Sequence, residues 1–254
     1  MLKEYKFNLY RIKMRNLIAI YLSIIICQTV MAQESISNTG RIYKISYANQ
    51  RIEIDGFIKE RAWLSAPFTE IFLINSDCSE PKQQTRAKML WDEGNLYILF
   101  LINDSDISVT MNKHDDPLWK HDAVEVFIDP EGDGLNYMEL QINPFGTVTD
   151  LILDKAYKTG GRGDYSWDVD SLKTGIKITS SDNKRGWICE LAVPFHSIKL
   201  KYYPPKQGDV WKVNLCRVDK KKSDVNFTEI SAWNGTCTDS FHVPEKFGTV
   251  IFSN

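Results

Sequence analysis

Cysteine is scarce in this chain, with five in 254 residues, and Cys27 lies in a leader-like segment that stands apart from the rest. The other four, Cys78, Cys189, Cys216 and Cys237, are too sparse for a disulfide scaffold in a chain long enough to bury its own core. Cys189 and Cys216 fall inside apolar strand patterns, where burial as free thiols is expected; a bridge between them is a matter of geometry. Histidine is scarcer still. His114, His121, His196 and His242 show no zinc-ligand spacing, so zinc is not expected. An excess of charge is also missing, since 31 Lys+Arg face 33 Asp+Glu, which excludes a charge-rich disordered tail and a basic nucleic-acid coat. Beyond the leader there is no helical pattern of twelve or more residues.

The leader reads as an export signal. Lys3, Lys6, Arg11, Lys13 and Arg15 precede the apolar run Leu17 to Ile26, and Val30-Met31-Ala32 before Gln33 offers a small-residue cleavage site. The run is about half of the roughly 20 residues a membrane span needs. Residues 1–32 are therefore expected to be a signal peptide, and the protein to be exported to the periplasm, the outer surface or the medium. Lipidation at Cys27 and a retained anchor are the alternatives, although bulky Ile26 precedes Cys27 where lipid attachment wants a small residue; translation from Met14 would shorten the basic lead. Without the leader the chain keeps 26 basic and 32 acidic side chains, near −6, which solicits neither DNA nor anionic lipid.

The remainder of the chain is a succession of short β-branched and aromatic runs divided by Gly, Pro, Asn and Asp. Residues 33–50 read as a linker or an edge strand. Arg51 to Ile54 alternates into the turn Asp55-Gly56, and Lys59 to Trp63 reads as one helical turn. Arg86 to Trp91 and Asn95 to Ile102 flank a hairpin in which Gly94 is expected to supply a positive φ. Further strands are expected at 123–128, 137–143, 175–179, 187–193, 210–218, 229–233 and 248–252. Residues 155–172 read as a long glycine-rich loop of the kind that walls ligand sites. The expected fold is one all-β domain over 51–254, an antiparallel β-sandwich or jelly roll.

Several ordered blocks carry a resemblance. They are Ile54-Asp55-Gly56 with Ala62-Trp63, Leu90-Trp91-Asp92 with Leu96-Tyr97, and the run Trp119 to Asp129, WKHDAVEVFID. Gly186-Trp187 with Glu190, Val193-Pro194-Phe195 and Pro244-Glu245-Lys246-Phe247-Gly248 complete the set. In this order they resemble carbohydrate-binding module family 9, the non-catalytic β-sandwich attached to bacterial xylanases. The resemblance implies a terminal sugar held between two tryptophan rings, polar side chains on its hydroxyls, and structural calcium. Trp119 matches the first ring and Glu125 the carboxylate of the next strand. Gln141 and Asn143 match the returning strand, with Gln141 where binding members carry arginine, and Phe241 stands where a second tryptophan is expected.

The residue types themselves leave two readings open at most candidate positions. Trp119 lies in a polar loop just before a strand, where a flat ring suits the C–H face of a sugar or folds back as a lid on the core. Val124, Val126 and Ile128 point one way; Glu125 points the other way with Ala123 and Phe127, and needs a cleft or a partner. Glu139 and Gln141 continue that polar track, or form an ordinary solvent-facing row. Glu190 and Arg217, each flanked by apolar residues, are expected to pair with each other, with either reaching a sugar hydroxyl. Phe241-His242 offers a second ring wall or a packed chain terminus. Asp129, Glu131 and Asp133 have the oxygen spacing of a calcium loop, but Leu140 stands where the closing carboxylate belongs. A calcium site built from these three, or a solvated hairpin turn, explains the loop. Haem would need better placed axial ligands than Met138 and His121.

The expected function is non-catalytic binding of plant-type xylan- or glucan-like carbohydrate, by a monomer associated with cell-envelope polysaccharide-degrading machinery. A structural or protein-binding sandwich with a decayed sugar site is the alternative. Glycoside hydrolysis, by Glu125 with Glu139 or Glu190 about 5 to 9 Å apart, is a lesser one.

Overall fold

The computed structural model describes residues 40–181, 184–198, 204–224 and 226–254. Residues 1–32, expected from their pattern to be a signal peptide, and Cys27 within them lie outside the described residues. The alternation around Glu125 becomes strand β5 (Ala123–Asp129), buried along its whole length because both faces are covered. Val124, Val126 and Ile128 enter the main core, while Phe127 enters a second cluster on the opposite face. Strand β6 (Tyr137–Ile142) returns antiparallel beside it, with Glu125 opposite Gln141 and Phe127 opposite Glu139. Next come β7 (Val148–Leu153), which the sequence pattern does not announce, and the short β8 (Gly163–Asp164).

A second layer is built from β3 (Thr85–Trp91), β4 (Asn95–Asn103), β9 (Lys173–Ser181) and β10 (Lys184–Pro194), all antiparallel. Its Met89, Ile98, Phe100, Trp187 and Leu191 share one core with Val126, Leu140 and Ile152 of the first layer. Each such side chain contributes roughly 1.5–3 kcal/mol relative to exposure. The product is a β-sandwich, but its layers are one continuous curled sheet and the pairing is not wholly antiparallel. Strand β1 (Ile42–Tyr47) runs parallel to both β3 and β13 (Gly248–Ser253) and joins the layers. The segment expected to be a linker or edge strand is therefore interior, and the folded unit reaches back to Arg41.

Strand β11 (Val210–Lys220) pairs with β5 on one side. On the other it pairs first with β13 and then with β12 (Thr228–Ala232), which also meets the two-residue β2 (Leu73–Ile74). Where the partner changes, Trp233 lies against Gly248 so closely that an added Cβ would sit 2.4 Å from the indole ring; no residue but glycine fits. Cys78 and Cys237 form a disulfide that joins the segments after β2 and β12, a single cross-link rather than a disulfide scaffold. Cys189 and Cys216 are free, buried and in different clusters, so they form no bridge.

Three local expectations are corrected. Residues 51–54 form no strand: Asp55 and Gly56 donate their N–H groups to Glu190, 3.0 Å each, and this draws the segment out of the sheet. Gly94 is not at positive φ, because Asp92 Oδ1 closes the turn by accepting from the N–H groups of Gly94 and Asn95 at 2.7 and 2.8 Å. The helical turn is α1 (Arg61–Ser65).

Candidate functional site

The outward face of β5, β6, β11 and β12 forms a cleft of about 510 Å³. Glu125, Glu139 and Gln141 lie on its floor with Val218, and Trp119, Phe241, His242, Tyr157 and Tyr165 line it from the loops. Trp119 stands on the single turn Leu118–Lys120, whose Leu118 is buried, and is itself 51% exposed. Its backbone N–H donates to Gln141 Oε1 at 3.2 Å, and Gln141 Nε2 donates to Glu139 Oε1 at 2.6 Å. The Lys120 ammonium lies 5.4 Å from the indole centroid.

Phe241 is only 7% exposed and packs on Phe127 with a centroid distance of 6.1 Å, so most of its ring is spent on the second core cluster. The exposed rings facing the cleft, besides Trp119, are Tyr157 at 43% and Tyr165 at 50%. Both come from the 155–172 loop. Gly163 lies beneath them: a Cβ there would come within 2.7 Å of Leu151 and 3.1 Å of the Tyr157 hydroxyl. Glu139 was legible as part of the polar track beside Glu125, whereas Lys220, Asp239 and the two tyrosines were not singled out by sequence. The only sequence signal for the tyrosines was the length of their loop.

Burial in this floor raises both carboxyls. Glu139 is pushed up to about 7, with the Gln141 hydrogen bond pulling the other way, and Glu125 is pushed well above its ordinary value by burial and by the neighbouring Glu139. His242 is brought down by burial to about 4. Its Nε2 lies 3.8 Å from Glu139 Oε2, a polar contact of a neutral ring rather than an ion pair, and its Nδ1 lies 3.1 Å from the Tyr137 hydroxyl. The two carboxyls project side by side from neighbouring strands of the cleft floor.

Three sequence candidates lie outside the lining of this cleft. Asn143 follows the end of β6, where its Oδ1 accepts from the N–H groups of Phe145 and Thr147 and its Nδ2 donates to the Met111 carbonyl at 2.8 Å; it shapes a turn. Glu190 lies in the other layer, accepting from Trp63 Nε1 at 2.7 Å as well as from Asp55 and Gly56. Arg217 faces away from the cleft and meets Asp104 at 3.3 Å and Asp219 at 3.5 Å, so the expected Glu190–Arg217 pair does not form.

The expected calcium ligands do not converge. Asp129 spends both carboxylate oxygens on the N–H groups of Gly132 and Gly134, at 2.8 and 2.9 Å, and Asp133 caps Leu135 at 2.9 Å. Glu131 is exposed on the same loop. The loop is a hydrogen-bonded turn and its residues do not fit the ion. Among the described residues, side chains able to ligate a metal gather in threes at Asp104, Asp122 and Asp219, and at His114, Asp150 and Asp168. In the first group the Arg217 guanidinium supplies the positive charge.

Residues 54–254 match the family described as carbohydrate family 9 binding domain-like. The chain is 25% identical over 197 residues to endo-1,4-beta-xylanase A of Thermotoga neapolitana and 30% identical over 202 residues to exoglucanase XynX of Acetivibrio thermocellus. These alignments cover 78% and 79% of the chain but 16% of each relative, so the chain spans about one sixth of their length. Its fold matches a family 9 carbohydrate-binding module from Caldicellulosiruptor kristjanssonii, solved in complex with cellotriose. The TM-score is 0.63 at 17% identity, covering 84% of this chain and 94% of that one. With the family match extending over most of the chain and the sandwich matching in three dimensions, this protein belongs to the carbohydrate family 9 binding domain-like family.

Proposed function

We propose that the protein is an exported, non-catalytic carbohydrate-binding protein that takes a glucan- or xylan-type oligosaccharide in the cleft beside Trp119. The observation that carries this reading is an exposed indole standing over buried, hydrogen-bonding carboxyl and amide groups. A sugar ring has an apolar C–H face and a girdle of hydroxyls, and the cleft offers aromatic surface for one and planar polar groups for the other. Trp119, Tyr157 and Tyr165 supply the stacking surface. Gln141, Glu125 and Glu139 receive and donate the hydroxyl hydrogen bonds, with Lys220 at the rim. The placement of both glutamates side by side on the floor favours binding over hydrolysis, which needs carboxyls flanking the scissile bond.

Export is supported by the leader pattern of residues 1–32 and by the Cys78–Cys237 disulfide, a bond that persists in oxidising compartments. The xylanase relatives support a place beside polysaccharide-degrading enzymes.

The test is isothermal titration of residues 33–254 with xylo- and cello-oligosaccharides, with and without calcium. Saturable heat that is lost in Trp119→Ala is expected. Folded protein that gives no heat with any of these sugars overturns the proposal and leaves a structural or protein-binding sandwich; the burial of Phe241, where a second open ring was expected, is the observation on that side.

A further inference from the structure

We propose that His114, Asp150 and Asp168 form a site for a divalent transition-metal ion of the zinc class, outside the sugar cleft. None of the three lines that cleft. His114 Nε2 lies 3.4 Å from Asp150 Oδ1 and 3.4 Å from Asp168 Oδ1, without a hydrogen bond to either. Ligand atoms about 2.0–2.2 Å from one tetrahedral ion are separated by roughly this distance. The imidazole donor selects the metal class, because calcium and magnesium take oxygen ligands and leave nitrogen aside.

The carboxylate at the centre of the group is pre-set for a ligand. Asp150 is buried on β7, its Oδ2 accepts the Val169 N–H, and its Oδ1 has no hydrogen-bond partner although it is buried. An orphaned buried carboxylate oxygen is costly, and coordination to a cation removes that cost. The Asp115 carboxylate lies behind the ring, its Oδ1 3.2 Å from His114 Nδ1. With Nε2 on a metal the ring proton is on Nδ1, and Asp115 is then placed to accept it, as in the carboxylate–histidine–metal arrangement of metal sites. The loop is also pinned to β7, by the Asp115 N–H on the Val148 carbonyl at 3.1 Å and by the Thr149 hydroxyl on the Asp116 carbonyl. His114 and Asp168 are exposed, so the ion is reachable from solvent and keeps a fourth position on that side.

No sequence spacing announces this site, because its residues come from three separated segments. His114 stands five residues before Trp119, and Asp168 three residues after Tyr165. An ion between them would tie together the roots of the two aromatic walls; that consequence, unlike the binding itself, rests on the proposed sugar site.

The experiment is titration of untagged, chelator-treated protein with zinc chloride, paralleled by cobalt(II) absorption and by calcium chloride. One zinc per chain is expected, with visible cobalt bands of a low-coordinate site. His114→Gln and Asp168→Asn, both at exposed positions and checked for unchanged melting in chelator, are each expected to weaken zinc at least about tenfold and to remove the cobalt bands. Asp115→Asn is expected to weaken it by about 10–100-fold through loss of orientation. No saturable zinc binding by the wild type overturns the proposal. So does zinc binding unchanged in His114→Gln, or calcium bound as tightly as zinc.

Discussion

Gln141 holds Trp119 to the sheet: its side-chain oxygen accepts the Trp119 backbone N–H at 3.2 Å, while its amide nitrogen donates to Glu139 at 2.6 Å. One side chain thus sets both the ring that would stack on a sugar and a carboxyl that would bind its hydroxyls. Gln141→Leu keeps the volume and removes both bonds. It is expected to cost about 1–3 kcal/mol of stability from the groups left unpaired, and to weaken oligosaccharide binding about tenfold or more. Urea unfolding and calorimetric titration, with Trp119 fluorescence as a local probe, measure the two effects separately.

Binding is expected to depend on pH through the floor carboxyls. Glu139 is raised to about 7 by burial, Glu125 is raised well above its ordinary value by burial and by Glu139, and His242 at about 4 stays neutral over the range. Below about pH 7 Glu139 holds its proton and is a weaker acceptor, so oligosaccharide affinity is expected to rise between pH 6 and 8 as Glu139 ionises. Stability moves the other way. A carboxyl with its folded value raised from 4.5 to about 7 holds its proton more tightly when folded, so its contribution is full below about pH 4.5 and is lost as pH rises from there to about 7. Asp122, raised to about 8 by burial and by Asp104, adds to the same trend. The share due to Glu139 is the part that disappears in Glu139→Gln; an unchanged pH profile in that variant contradicts the assignment.

Arg217 is expected to matter for stability and not for sugar. It sits buried between Asp104 and Asp219 and donates to the Asn103 carbonyl at 2.7 Å. Arg217→Met removes the cation that these buried carboxylates share and is expected to cost about 3–5 kcal/mol. Sugar affinity of the fraction that remains folded is expected to be unchanged, as Arg217 lies outside the cleft. A selective loss of affinity at unchanged stability would reverse that placement.

The Cys78–Cys237 disulfide spans 159 residues of sequence. On the chain-entropy relation its removal in a Cys78→Ser/Cys237→Ser double variant is expected to cost up to about 5 kcal/mol. Cys189 and Cys216 are buried and their thiols are pushed well above the ordinary value, chiefly by burial, so neither is expected to react with thiol reagents before unfolding. Thiol counting in native and denatured protein, with and without reductant, checks both statements.

Strand alternation was legible at Glu125 because a period of two needs only local sequence, and β5 does send Val124, Val126 and Ile128 to one core and Phe127 to another. The same pattern around Glu190 and Arg217 misled, since it says that a charge is enclosed by apolar neighbours but not what meets it. Trp63 reaches Glu190 from 127 residues away, and Asp104 comes to Arg217 from a strand end in the other layer. Asn143 kept the alternation on paper, yet β6 ends at Ile142 and the side chain turns to cap a bend. Tyr157 and Tyr165 lie in a loop without periodicity, and their approach to the cleft depends on the close packing over Gly163.

By itself the sequence determined an all-β chain, the positions of most strands and the ordered blocks that mark its family, because alternation, turn residues and block spacing are properties of neighbours in the chain. Only the tertiary structure decided that β1 is interior, that Cys78 meets Cys237, that Glu125 shares a floor with Glu139 while Glu190 does not, and that His114 meets Asp150 and Asp168. Those pairings are between residues far apart in sequence. They depend on which strands the curled sheet lays side by side, and that order is set by the burial of the whole core.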